Sequence, residues 1–425
     1  MTSLRRGCGV AALFLMVSLV AAAPAGAAST TALKVEALHA PQWVHGSDGR
    51  GQLEYDLAVT NVFSADASLE SLEVRGDGRR LLRLQGAALA AVTRRLFAEE
   101  ATARISAAST NVILMDVVLP RSFGRAAPRR LTHRIRYSIP ADARARSIIG
   151  STTVDAPVLR VDRRRPVVIG APLRGSGWLD SNGCCDDPTA NHRFTILAFD
   201  GALVNAEVFA IDWTRLVGGA LYTGDGRQNS DWAGFGAPIY SVAGGTVVST
   251  VDDLPDIPPF EANPGLRRPA DWAGNNAIIR IGRGRYAVYG HLQAGSVRVR
   301  RGQRVRAGQQ LGRLGNSGNT QGPHLHFGIQ ERPNFFSRGV PFVINRFRLE
   351  GVAERAPTPP RVRVTGPPRI EPIVPAHPLG RDVHAADPAD HRPMTDGCRR
   401  CSQRAPGRRD ERRLAFRRRS SALLS

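Results

Sequence analysis

Gly312-Arg313-Leu314-Gly315-Asn316-Ser317-Gly318-Asn319-Thr320-Gln321-Gly322-Pro323-His324-Leu325-His326-Phe327 is the stretch from which the rest of the chain is read. A glycine-rich turn delivers the backbone into a short apolar strand carrying two histidines two residues apart. Side chains alternate across a strand, so His324 and His326 share one face and Leu325 points the other way. Two imidazoles side by side suit one metal ligand and one proton-transfer group. Such a pair also occurs on ordinary surface strands, so its meaning rests on what flanks it.

Working outward, 425 residues suit two domains, and an apolar content of 42% is ample for packed cores. Only 6% is aromatic, with 43 glycines and 29 prolines, which favours turn-rich β structure over long helices. The net charge of +21 is almost entirely arginine, Lys34 being the lone lysine. A basic surface favours anionic partners. No nucleic-acid motif accompanies the charge, so nucleic acid is not expected among them.

Residues 1–28 read as a secretory signal. Arg5-Arg6 begin it, Val10 to Ala23 are too short to span a bilayer comfortably, and Ala25-Gly26-Ala27 offer a cleavage site. A retained anchor is the alternative. Once the signal is cleaved, no stable membrane insertion is expected. From 29 to 154 the chain runs in short alternating segments bounded by turn residues. Gln52 to Thr60 and Asn111 to Val118 are examples. That pattern predicts an immunoglobulin-like β-sandwich, an accessory domain with one helix over Ala87 to Glu99. Asp56, Asp116 and His133 read as solvated or structural. Arg163-Arg164-Arg165-Pro166 reads as a basic linker within a second domain set at 155–350, with a strand at Val167 to Ala171. Beyond 350, clustered proline and arginine predict a disordered tail over 351–425. With the signal removed, Cys184, Cys185, Cys398 and Cys401 remain, and their pairing cannot be read from sequence.

Asn316 to Phe327 closely resembles the signature of the lysostaphin-like zinc endopeptidases, metallopeptidase family 23, which cut peptide cross-links in bacterial cell walls. Further pieces of that pattern stand in order: Phe209-Ala210-Ile211-Asp212-Trp213, Gly236-Ala237-Pro238, Val242 to Val248, Tyr289-Gly290-His291-Leu292 and Val305 to Gly312. The resemblance spans roughly Asp155 to Glu350. It implies an antiparallel all-β peptidase domain, a Zn²⁺ ion, peptidoglycan peptides as substrate, and a secreted, periplasmic or cell-envelope location in a bacterium.

The family's zinc is held by a histidine four residues before the aspartate, the aspartate itself, and the second histidine of the pair. Here Val208 stands at the first position and cannot ligate. His192 is the replacement. Phe194 to Phe199 and Val204 to Ile211 read as a hairpin turning near Asp200-Gly201. A three-residue loop sets Asp200 against Val204 and His192 against Asp212, on one face. A two-residue turn sets His192 against Phe209 and leaves Asp212 on the other face. The first register is preferred, and an odd offset from Asp212 makes Glu207 the weaker substitute. The expected metal ligands are then His192, Asp212 and His326. His324 and His291 match the family's non-ligand histidines, which implies general base and oxyanion stabiliser. Asn229, Asp231 and Trp232 are further groove candidates, with Asp231 a possible partner of a ligand histidine. The expected activity is zinc-dependent hydrolysis of peptide bonds in peptidoglycan. The alternative is a non-catalytic relative that binds wall material or activates a partner hydrolase, a reading the displaced ligand favours.

Overall fold

The computed structural model describes residues 29–355 apart from 46–50, 97, 99, 121–122, 124–125, 185–189 and 264, with the backbone of short strands between 362 and 386. The expected signal, 1–28, and the arginine-crowded end lie outside these residues. Among the described residues no helix is long and apolar enough to cross a membrane. The protein is almost all β, as the glycine, proline and alternation pattern requires.

The first strands are β1 (Leu33–Ala37), β2 (Gln42–His45), β3 (Gly51–Asn61), β4 (Ala67–Gly76), β5 (Arg79–Gln85), β6 (Thr93–Arg95), β7 (Arg104–Ile105), β8 (Thr110–Val118), β9 (Arg130–Ser138), β10 (Thr153–Asp155) and β11 (Leu159–Arg160). They form two antiparallel sheets. One runs β1-β3-β8-β6 with β2 beside β3, the other β10-β9-β4-β5 with β7 and β11 at its margins. Leu53, Tyr55, Leu57 and Val59 of β3 meet Ile113, Met115 and Val117 of β8 in the core between them.

The helix expected over Ala87 to Glu99 is cut short. Only α1 (Gly86–Ala91) forms, with no side-chain N-cap. β-Branched Val92 and Thr93 favour extended backbone, and Thr93 is buried as β6 pairs with β8.

The second set of strands is β12 (Val167–Ile169), β13 (Gly175–Ser181), β14 (Ile196–Phe199), β15 (Ala202–Asn205), β16 (Ile211–Arg215), β17 (Pro238–Tyr240), β18 (Gly245–Val251), β19 (Asn275–Gly282), β20 (Arg285–Leu292), β21 (Arg304–Val305), β22 (Gln310–Arg313), β23 (Leu325–Gln330), β24 (Phe342–Ile344) and β25 (Phe347–Arg355). A large sheet runs β21-β18-β19-β20-β23-β16-β13. Trp213, Ile279, Tyr289, Leu325 and Phe327 lie in one core against it. Within the stretch read as tail, Val362–Thr365, Arg369–Glu371 and Asp382–Ala386 pair with β25, and Asp382–Ala386 also pairs with β13.

The sandwich is buried on both faces at β3. Its outward-facing Glu54 and Asp56, and the outward-facing Val112, Leu114 and Asp116 of β8, are covered by residues that follow in the chain. Ile196 and Leu203 pack on Val112 and Leu114. Asp56, Asp116 and His133 therefore serve structure rather than solvent. Asp56 and Asp116 ion-pair with Arg193. His133 Nε2 and the Tyr55 hydroxyl are 2.7 Å apart, and burial pushes His133 down to about 4.

Candidate metal centre

The site grows from one face of three neighbouring strands, β20, β23 and β16. Leu325 and Phe327 enter the core, so alternation turns His324 and His326 to the other side, as the His-x-His pattern requires. Asp212 sits directly across from His326 in the β16–β23 ladder. Asp212 Oδ1 lies 3.0 Å from His326 Nδ1 and 3.4 Å from His324 Nε2. Asn182 donates to Asp212 Oδ2 at 2.9 Å.

Alternation alone would put His291 on the wrong face, beside core residue Tyr289. The β19–β20 register slips there: Tyr289 pairs with Ala277 and Leu292 with Asn275, so one extra residue is inserted in β20. His291 takes a left-handed φ of 58° in this bulge. Bulges re-aim side chains at the cost of local strain. Here the ring turns to lie 4.6 Å from that of His324, centre to centre.

His192 arrives by a route other than the expected one. The hairpin closes through a two-residue turn, with φ of 49° at Asp200 and 80° at Gly201, and Phe199 pairs with Ala202. Asp-Gly is a preferred pair for such a turn, so the three-residue loop and its register are wrong. The strand-face rule then no longer applies, because the ladder ends at Ile196 and His192 lies on α2 (Asn191–Phe194). From that single turn His192 Nε2 reaches within 3.2 Å of Asp212 Oδ2 and 4.0 Å of Glu207 Oε2.

Three of the four histidines share one device. The Nδ1–H of His192 donates to the Ala210 carbonyl at 3.0 Å, that of His291 to Ser317 at 2.8 Å, and that of His324 to Gly322 at 2.8 Å. A ring fixed this way presents its Nε2 lone pair. His326 differs. Its Nδ1 faces Asp212, and its Nε2 is buried with no hydrogen-bond partner among the described residues.

Donor atoms of His192, Asp212 and His326 all lie within 4.8 Å of one another. Ligands at about 2.05 Å around a tetrahedral ion stand about 3.4 Å apart. His192 Nε2 stands 3.2 Å from Asp212 Oδ2 and His326 Nδ1 3.0 Å from Asp212 Oδ1, so each imidazole has one carboxylate oxygen near that spacing. Two imidazoles and one carboxylate also form a donor set suited to zinc, so these residues fit the ion. Without it, burial opposes charge on His192, but Asp212 and Glu207 push it up to about 9. Burial alone would raise Asp212, yet His192 and His324 hold it well below the usual carboxylate range. Burial, with His324 and His326 nearby, drives His291 well below the usual imidazole range. Burial opposes protonation of His324, and Asp212 overcomes it.

The glycine-rich turn holds this array from beneath. Gly318 has φ of 85°, and a Cβ there would stand 2.3 Å from the Gly274 nitrogen. Ser317 Oγ donates to the Leu292 carbonyl while its own carbonyl anchors His291. Asp231 does not serve a ligand histidine. Its carboxylate accepts the Gln228 N–H and caps a turn. Asn229 and Asn316 are bonded to each other, and the Trp232 ring covers Gly322. Cys184 is disulfide-bonded, which removes it as a thiolate ligand beside Glu54 and Asp116. Sequence reading missed Asn182 and Arg193. The adjacency of Arg193 to His192 was the only signal for the latter.

The model of peptidase family M23 matches residues 228–337. The peptidoglycan DD-endopeptidase ShyA of Vibrio cholerae is 34% identical over 92 residues, which are 22% of this chain and 17% of that protein. The chain thus spans about a sixth of that relative's length. The catalytic domain of lysostaphin from Staphylococcus simulans is similar at 19% identity and a TM-score of 0.19, over 32% of this chain and 71% of that one. A putative M23 peptidase from Pseudomonas aeruginosa is similar at 13% identity and a TM-score of 0.20, over 64% and 89%. The matched segment contains His291, His324 and His326, while His192 and Asp212 precede it. The expected signature lies inside the matched segment, so residues 228–337 are similar to peptidase family M23.

Proposed function

We propose that this protein is a zinc-dependent endopeptidase that hydrolyses peptide bonds in bacterial peptidoglycan, exported to the cell envelope. One observation carries the reading: His192, Asp212 and His326 converge within 4.8 Å where His291 and His324 also aim their Nε2 atoms. His192, Asp212 and His326 would hold the ion. The chemistry supplied by bound zinc is Lewis acidity toward the scissile carbonyl and a water acidic enough to attack near neutral pH.

His324 and His291 handle the protons. A neutral ring with Nδ1–H on a carbonyl accepts a proton at Nε2, which suits His324 as general base. The same hydrogen bond places a condition on His291. Only after gaining a second proton can its Nε2 donate to a developing oxyanion, and burial opposes that proton. The 4.6 Å ring separation makes the pair one proton-handling unit. The sandwich reading is supported by strand order. Lettered along the chain, its sheets run A-B-E-D and G-F-C-C′, the immunoglobulin-like arrangement.

The test is metal content and digestion of purified peptidoglycan by the mature protein beside His326→Ala. Stoichiometric zinc and released peptide fragments, both lost in the variant, are the expected result. Zinc-free protein that binds peptidoglycan without cleaving it would overturn the reading in favour of a wall-binding relative.

A further inference from the structure

His192 rides on a four-residue helix with no side-chain N-cap. Such a turn has no stability of its own, so tertiary contacts must set its position. Adjacent helical residues diverge by about 100°, and here they point into different domains. His192 turns to Asp212, while the Arg193 side chain is fully buried against the sandwich.

What Arg193 meets is a built anionic nest. Glu54 and Asp116 are register partners on β3 and β8, and Asp56 follows Glu54 by two residues on the same face. Arg193 Nη1 ion-pairs with Glu54, and its Nη2 lies 3.5 Å from Asp56 and 3.4 Å from Asp116. His39 Nε2 stands 3.7 Å from the far oxygen of Asp56. Asn205 donates to the Arg193 carbonyl at 3.0 Å, fixing the backbone between ring and guanidinium. Glu54 and Asp56 are wholly buried. Carboxylates so placed need a fixed cation, and a guanidinium fork satisfies several at once.

We infer that Arg193 is a positioning residue for the metal site: clasped by Glu54, Asp56 and Asp116, it holds α2 so that His192 reaches Asp212 and His326, making the sandwich domain a working part of the metal centre. This rests on the zinc-site reading above. It also accounts for the missing ligand at Val208. Val208 itself lies buried in the turn that leads into β16, whereas His192 stands on a detached turn that needs an outside support.

The experiment measures zinc affinity by chelator competition, and the visible spectrum of the cobalt-substituted full chain, for wild type, Arg193→Lys, Asp116→Asn and Leu203→Ala. Lysine keeps the charge but loses the fork. Arg193→Lys should bind zinc about 10–100-fold more weakly and shift the cobalt bands, as loss of support behind a ligand does. Asp116→Asn should act in the same direction, less strongly. Leu203→Ala loosens the same interface without touching the clasp. It should lower the unfolding temperature and leave zinc affinity within about twofold. Should Arg193→Lys fail to fold, the Asp116→Asn affinity and spectrum decide. Unchanged affinity and spectrum in the folded clasp variants, beside a zinc-binding wild type, would overturn the clasp alone. So would an equal loss of affinity in Leu203→Ala. A wild type that binds no zinc would overturn the site reading and the clasp together.

Discussion

The candidate centre has two halves built on different principles. Asp212 and His326 stand on neighbouring strands of the large sheet, with His324 one residue before β23, and Leu325 and Phe327 lie in the core behind. His192 stands on one helical turn between the two sets of strands, its ring donating to the Ala210 carbonyl and its neighbour Arg193 ion-paired with Glu54. A sheet places side chains through local geometry that a short motif can encode. A bridging turn places them through contacts with distant residues, here Asp116 and Asp56 at 77 and 137 positions away. On the proposed clasp, the second arrangement puts part of the candidate site under the control of the N-terminal strands.

The largest expected effects test whether both halves belong to one centre. Asp212→Ala and His326→Ala should abolish zinc binding, since three protein ligands are the minimum of a typical catalytic site. His192→Ala should do so about as completely. Glu207→Ala should leave zinc bound, its carboxylate standing 4.0 Å from His192 Nε2 and outside the converging donor set. Metal analysis after gel filtration checks all four. Stoichiometric zinc in His192→Ala, or its loss in Glu207→Ala, would move the first ligand to Glu207.

The same contrast explains what the sequence made legible. The all-β class, the shared face of His324 and His326, and the burial of Leu325 and Phe327 follow from alternation, which is local. The pairing of Asp212 with His326 came from the resemblance and lies in the ladder. The grouping of His192 with Asp212 is in the structure, but not through the expected register: the chain has an Asp-Gly turn and a helix in place of a three-residue loop and an extended strand through His192. His291 escapes spacing rules because a bulge reverses its face. Arg193 is invisible to spacing rules because its partners, Glu54, Asp56 and Asp116, lie far away in the chain on β3 and β8. On alternation alone they occupy an ordinary solvent face.

A middle-sized effect separates holding the ion from handling protons. His291→Ala and His324→Ala should each retain zinc and lose about 10²–10⁴-fold in kcat, the usual worth of a positioned proton-transfer group. Because the rings act as a unit, the double variant should lose far less than the product of the single losses. Peptidoglycan turnover measured beside zinc content checks this. Zinc loss in His324→Ala would make His324 a ligand and break the division between binding and chemistry.

The smallest effect bears on the support behind the bridging turn. His133 is buried in the sandwich with its Nε2 on the Tyr55 hydroxyl, and burial lowers its pKa to about 4. An unfolded histidine titrates near 6.5, so below that value the unfolded chain binds a proton that the folded one refuses. Stability from this group is therefore complete above about pH 6.5 and declines as pH falls toward about 4. Between about pH 8 and about pH 5 the loss amounts to roughly 2 kcal/mol. His133→Gln keeps a polar partner for Tyr55 but cannot titrate, so its unfolding free energy should fall less over that range. Denaturant titrations of both proteins at the two pH values read the difference. Equal losses would mean that acid acts on the sandwich through its carboxylates. A smaller loss in the variant would make His133 the group through which acid loosens the strands that carry the proposed clasp.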